Sequence, residues 1–251
     1  MDITDILPVL FTVLVLLGFV AAVGGVVYLV LHLRSGERFS FSMRLLFRLY
    51  LYVISLISLV ILVVGAATLV QAGLGAALGK EFSYFPIYAG GVAFPEQIPL
   101  EPDGRATEEA VDEAARQAEE QEQQRERGLD RALKEGILNG ISLTLVGAAV
   151  WGLHACGRRR LETEDERQGV LYRGYLILLL VIFGVITLVT LPSAIFQTSR
   201  YFILEPLDGF SRDRPGGTLA AAIASLPVWA YYLRATLNLL RLRAPQEPEA
   251  S

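Results

Sequence analysis

The feature that most constrains the fold of this chain is a set of five long apolar stretches. They occupy residues 6–33, 49–70, 137–156, 174–196 and 218–233. Four of them run for about 20 or more residues without Asp, Glu, Lys or Arg, the length that an α-helix needs to cross about 30 Å of hydrocarbon. The fifth is shorter and ends at Arg234, whose long side chain can reach the lipid headgroups. We therefore expect five transmembrane segments.

The clustering of the apolar residues, rather than their number, indicates whether the chain is a soluble or a membrane protein. Of the 251 residues, 53% are hydrophobic and 19% are charged, a composition that a soluble domain can also reach. Backbone groups in lipid must be hydrogen-bonded within their own segment, which favours helices, and the sequence lacks the alternation of a membrane β-strand. The prediction is an all-α membrane protein.

The first apolar stretch is predicted to be a retained helix, with no cleaved signal peptide. Residues 1–5 carry no positive charge, and the apolar run that follows is much longer than the roughly 7–15 residues of a signal-peptide core.

These observations divide the chain into five parts. They are a first transmembrane hairpin (1–79, helices about 7–33 and 49–70), an extracytoplasmic acidic loop and helix (80–136), a second transmembrane hairpin (137–197, helices about 137–156 and 170–196), an outer loop (198–217), and a fifth transmembrane helix with a cytoplasmic tail (218–251).

The acidic segment 107–135 has two competing interpretations. Thr107 followed by Glu108 and Glu109 is typical of a helix start, and spacings such as that of Asp130 and Lys134 support a solvated helix. That helix would continue into the third span and be weakened at Gly128 and Gly136. Residues 119–127 contain no apolar side chain, so a disordered middle is the alternative.

Basic residues predict the orientation, because Lys and Arg in short loops mark the cytoplasmic side. The connections 34–48 and 157–173 and the tail 234–251 together hold twelve, whereas the N-terminus and the loop 198–217 hold three. We expect the N-terminus outside and the C-terminus in the cytoplasm.

A repeat recurs along the chain, in the order A-B, A-B, A. Two-helix units of this order would all point the same way and so be parallel repeats. The A helices end on similar aromatic and basic residues, and the B helices begin on an arginine and a tyrosine. This signature, expected at the inner membrane face, comprises His32, Arg34, Arg48, Tyr50, Trp151, His154, Arg158, Arg173, Tyr175, Trp229, Tyr232 and Arg234.

The element Val150-Trp151-x-x-His154, a short basic turn, and then Arg173-x-Tyr175 resembles a bacterial membrane family, domain of unknown function 5671. The resemblance is best over 140–196, looser over 20–79, and covers 219–234 as a half unit, which makes about two and a half units. It implies a multi-helix domain of the bacterial cytoplasmic membrane and brings no activity with it.

Two groups of signature residues have both a functional and a structural interpretation. His32 and His154 lie at matching depths and could ligate a haem axially, but an amphipathic ring at the headgroup level needs no cofactor, and we expect none. Arg48 and Arg173 could pair with lipid phosphates or a partner's acids, or simply mark the cytoplasmic flank.

Catalysis and ion pumping are disfavoured by the sequence. No predicted span has an interior Asp or Glu, and there is no nucleophile elbow, no phosphate-binding glycine loop and no HExxH motif. The single cysteine, Cys156, excludes an internal disulfide and a multi-cysteine metal site. Nothing in the charge pattern indicates nucleic acid, and we expect the protein not to be an enzyme.

The leading hypothesis is a non-catalytic accessory, assembly or scaffold component, with the lipid bilayer around it. A protein partner or a second copy would bind the outer acidic helix or the Gly/Ala helix faces, such as Gly18/Ala22 and the group Gly147, Ala148, Ala149 and Gly152. A small-solute permease or channel is the alternative, and a haem-binding redox subunit is the second alternative.

Overall fold

The computed structural model describes residues 43–86, 108–163, 169–203 and 214–241. Within these ranges every regular element is a helix, and there is no strand. The helices are α1 (Met43–Leu78), α2 (Lys80–Ser83), α3 (Glu108–Leu161), α4 (Val170–Ile203) and α5 (Gly216–Arg241). The first predicted span, and with it His32 and Arg34, lies outside the described residues.

Four of these helices are long and apolar enough to cross a membrane. The qualifying segments are Leu46–Leu78, Ala115–Leu161, Leu171–Ile203 and Gly216–Leu240. They contain the second to fifth predicted spans, so the helical membrane-type architecture is confirmed for those four. Each helix extends beyond its apolar stretch; α1 continues to Leu78 and α4 to Ile203. Pro192 and Pro227 both lie inside helices.

The acidic segment and the third span form one uninterrupted helix. α3 has 54 residues, and neither Gly128 nor Gly136 ends it. At 1.5 Å per residue its length is about 81 Å, far more than the hydrocarbon thickness of a bilayer. The division proposed between 136 and 137 therefore separates two parts of a single helix.

The long helices are not packed in chain order. α1 lies against α3 on one side and α5 on the other, and α4 packs along α5. α3 and α4 follow each other in the sequence, yet they make no extended contact within the described residues. The main core joins α1, α4 and α5, and its buried side chains include Leu59, Tyr175, Leu179, Phe183 and Tyr232.

Glycines bring α1 and α3 into close contact. A Cβ atom placed on Gly147 would lie 2.6 Å from the backbone nitrogen of Leu62, and one on Gly65 would lie 2.5 Å from the backbone nitrogen of Thr144. Small residues permit this approach of two helix backbones in lipid. Gly147 therefore lies on a close-packing face, as predicted, whereas Gly152 has no neighbour within 4 Å of its Cβ position.

The short helix α2 closes the other end of the bundle. Phe82 is fully buried, and its ring meets the edge of Tyr201 of α4 at 5.0 Å between centroids. Lys80 forms an ion pair with Asp130 of α3, and Glu81 forms one with Arg125 of α3. α2 thus ties α1 to the polar part of α3.

Candidate ligand-binding site

Four signature residues meet at the end of the bundle where α3 ends and α4 begins. Tyr175 and Tyr232 are both buried, and their ring centroids are 6.4 Å apart. The guanidinium carbon of Arg158 lies 4.6 Å from the ring centroid of Tyr175. Trp151, two turns earlier on α3, packs against the same core. Sequence positions on three helices are thus brought together by the fold.

Tyr52 of α1 is a member of this cluster that the sequence analysis missed. It is only 4% exposed, its ring centroid lies 5.1 Å from that of Tyr175, and the Arg158 guanidinium carbon lies 4.9 Å from its ring. The pattern of buried hydroxyl residues could have found it, because Tyr52, Ser55 and Ser58 recur every three residues along one side of α1. The Ser55 and Tyr175 hydroxyls are 3.3 Å apart, which connects α1 with α4.

The signature residue Tyr50 lies elsewhere. It is 51% exposed, and its ring packs against His154, at 5.8 Å between centroids. Nδ1 of His154 is 2.8 Å from the backbone carbonyl of Val150, so the ring is oriented by its own helix when Nδ1 carries the proton. Because His32 is outside the described residues, the pairing of the two histidines is not tested, and the expectation that no haem is bound stays a prediction.

The other described signature residues lie on α1, α4 and α5. Trp229 of α5 packs against Gly184 of α4, where a Cβ atom would lie 3.2 Å from the indole nitrogen. Arg48 and Arg173 are half-buried in the early turns of α1 and α4, and Arg234 is exposed. Among the described signature residues, Tyr50 and Arg234 are exposed, whereas Tyr175 and Tyr232 are buried.

A cleft of about 390 Å³ opens beside the four meeting residues. It separates α3 from the pair formed by α4 and α5, and Leu59 of α1 lines it too. We call it the aromatic cleft and define it by Trp151, Ala155, Arg158, Tyr172, Tyr175 and Tyr232. Ala155 lies between Trp151 and Arg158 on the lining face of α3, where its small side chain leaves the space open.

The polar lining of the aromatic cleft is cationic. Arg158 and Arg159 contribute guanidinium groups, and no carboxylate is among the described residues that line it. Trp151 Nε1 and Arg158 Nη1 are buried and have no hydrogen-bond partner within the described part of the chain. Glu162, one turn beyond Arg158, is not in the lining but lies near the hydroxyls of Tyr52 and of the lining residue Tyr172. The cleft therefore offers hydrogen-bond donors and positive charge.

Metal binding has no support in the described ranges, where no three His, Cys, Asp or Glu side chains come together. Cys156 is exposed. The chemistry that the site offers is recognition by cation, N–H donors and aromatic faces.

Four long apolar helices packed around a buried aromatic core define an all-helical protein of the membrane type. Residues 109–231, just under half of the chain, match the sequence model of the family described as Domain of unknown function (DUF5671). The match confirms the resemblance, and it also takes in the polar half of α3. The number of repeat units stays a prediction. Comparisons with curated proteins and with solved structures found no match.

Proposed function

We propose that this protein is a non-catalytic accessory or assembly component of a bacterial cytoplasmic membrane, with the first half of α3 as its partner-binding surface. The observation that carries the proposal is the polar arm, which we define as residues 108–128 of α3. Most described side chains between 112 and 127 are exposed, and no apolar residue occurs from 119 to 127. A helix that is polar on all sides has no core to pack against and is suited to bridging to another molecule.

The polar arm is held in a defined direction. Arg125 contacts Glu81 of α2 and Glu122 of its own helix, at 2.6 Å and 3.4 Å. These contacts fix the base of the arm, while the residues before Glu122 extend beyond α2. Because the arm is continuous with the third span, it presents a charged surface beyond the apolar part of α3.

Several threonine hydroxyls inside the spans have structural partners, which agrees with a non-catalytic role. Thr68, Thr190 and Thr236 each donate a hydrogen bond to a carbonyl four residues earlier in their own helix. Thr187 of α4 donates one of 3.2 Å to Ser225 of α5. These hydroxyls satisfy backbone groups or join helices.

Site-specific photo-crosslinking tests the partner-binding role. A photoreactive residue at Gln121, which is exposed on the polar arm, should give a discrete crosslinked species in membranes, at a yield that saturates with partner expression. The same group at Leu153, an exposed apolar position of the same helix, serves as the control and should crosslink no protein.

Charge reversal separates partner binding from folding. Glu119→Lys with Glu120→Lys should abolish the Gln121 crosslink and leave the melting temperature unchanged, because both side chains are exposed. A full-length protein that purifies alone in mild detergent, with no crosslink from the arm, would contradict the proposal. A crosslink to a second copy would make the partner the protein itself.

The permease alternative draws on one observation, the aromatic cleft between α3 and the α4–α5 pair. Reconstituted vesicles should then show solute flux that Ala155→Leu reduces, and no flux across a broad solute panel would exclude it. The haem alternative requires a Soret absorption band in protein produced with haem, and loss of that band in His154→Ala.

A further inference from the structure

The aromatic cleft is polar at one end and apolar at the other. Arg158 and Arg159 belong to the last turn of α3, whereas Trp151 is seven residues further from that end, about 10 Å along the helix. Leu59 of α1 and Val228 of α5 line the cleft on its other sides. A volume of about 390 Å³ falls within the range of about 300–1,000 Å³ typical of small-molecule sites.

Two donors in the cleft lack acceptors. Trp151 Nε1 and Arg158 Nη1 are withdrawn from solvent and have no hydrogen-bond partner among the described residues. Burying an N–H group without an acceptor costs free energy, and a native structure that contains such groups calls for a missing acceptor. Both donors belong to residues on one face of α3, so a single bound molecule can reach them.

Arg158 is positioned to bind an anion. Its guanidinium lies over the rings of Tyr52 and Tyr175, at 4.9 Å and 4.6 Å, and this contact restricts its orientation. Guanidinium N–H groups match the oxygens of a phosphate, and Nη1 of Arg158 has no hydrogen-bond partner within the described residues. With Arg159 also in the lining, the cleft favours a negatively charged ligand.

We infer that the aromatic cleft binds the phosphate group of an anionic ligand through Arg158, while Trp151, about 10 Å along α3, donates to another acceptor of the same ligand. The apolar end of the cleft fits the acyl chains of a phospholipid, so an anionic headgroup is the expected source, and a free phosphate compound shares the same chemistry. This site is separate from the polar arm, and its existence does not depend on the partner proposed for that arm.

The test uses the full-length chain in a neutral detergent. Short-chain phosphatidylglycerol, phosphatidylcholine and inorganic phosphate are titrated separately, and the bound fraction is measured by native mass spectrometry. The fluorescence of Trp151 is followed in parallel in Trp229→Phe, which leaves Trp151 as the single tryptophan. Phosphatidylglycerol should bind, shift the Trp151 emission, and outcompete phosphatidylcholine.

Three variants locate the site. Arg158→Gln should weaken phosphatidylglycerol binding about tenfold or more, because it removes a charge-assisted hydrogen bond. Ala155→Leu should weaken binding comparably, because the larger side chain fills the cleft while both arginines remain. This second variant keeps the site testable if Arg158→Gln does not fold. Arg160→Gln is the matched control, since it removes the same charge from the same turn at an exposed position that does not line the cleft.

The outcomes either support or overturn the site. Binding of phosphatidylglycerol that depends on Arg158 and Ala155 identifies a lipid site, and binding of inorganic phosphate with the same dependence identifies a soluble phosphate ligand. Equal losses in Arg158→Gln and Arg160→Gln would show diffuse charge attraction and overturn it. Absence of binding by phosphatidylglycerol and by inorganic phosphate would overturn it as well.

Discussion

The side-chain amide of Gln71 donates a hydrogen bond of 2.7 Å to the backbone carbonyl of Ser83. Gln71 is 5% exposed and lies near the end of α1, while Ser83 ends the short helix α2. The chain reverses between them at Gly79, whose φ of 106° suits glycine. One polar residue in an apolar helix thus holds the turn that caps the bundle.

We predict that Gln71→Leu lowers the free energy of unfolding by about 1–3 kcal/mol, because the buried carbonyl of Ser83 loses its donor. Thermal unfolding in detergent measures the change. Gln121→Leu on the exposed polar arm is the control and should have little effect. Equal melting temperatures for both variants would show that the hydrogen bond does not stabilise the cap.

Two glycines of α3 should respond oppositely to the same substitution. Gly147→Ala places a methyl group against the backbone of Leu62, at 2.6 Å from its nitrogen, so α1 and α3 must separate and the protein is destabilised. Gly152→Ala meets no atom within 4 Å and should be neutral or stabilising by up to about 1 kcal/mol through helix propensity. The difference between the two melting temperatures is the test, and similar values would contradict the packing described for α1 and α3.

We expect ionisation of the buried Tyr84 hydroxyl to lower the stability of the protein at alkaline pH. Burial raises the pKa of Tyr84 above its ordinary value of about 10. Because the folded pKa is the higher one, the contribution to stability is complete below pH of about 10 and is lost as the pH rises through the folded pKa. The wild type should therefore lose more stability above pH of about 10 than Tyr84→Phe does.

A second Tyr84 variant provides the control. The ring contacts the surfaces of Gly75 and Gly136, and its buried hydroxyl has no partner within the described residues. Tyr84→Phe should therefore be as stable as the wild type at pH of about 8, whereas Tyr84→Leu should be less stable at every pH because the ring packing is lost. Parallel pH curves for the wild type and Tyr84→Phe would contradict the prediction.

Cysteine labelling tests the proposed orientation. In a Cys156→Ser background, Gln121→Cys should react with a membrane-impermeant maleimide in intact cells, because the polar arm is predicted to lie outside. Arg160→Cys, also exposed, should react only after the cells are opened. The reverse pattern would place the arm in the cytoplasm and make the orientation prediction wrong.

The positions and helical nature of four spans were predictable, and so was one close-packing glycine, Gly147. The membership of the aromatic cluster was predictable only in part. Tyr175, Tyr232 and Arg158 belong to it, but Tyr50 does not, and Tyr52 takes the place beside Tyr175. The repeat aligned Tyr50 with Tyr175 by their positions after an arginine. Burial depends instead on the direction in which each side chain leaves its helix.

The amino-acid sequence decides where helices cross a membrane because the length and apolarity of a segment are local properties. It does not decide which face of each helix is buried, since lipid and protein interior are similarly apolar and both faces carry Leu, Ile and Val. That choice is made by packing: the approach of α1 to α3 at Gly147, and of α4 to α5 at Gly184. Only when those faces are fixed do Tyr52, Arg158 and Tyr175, from three helices, come together beside one cleft.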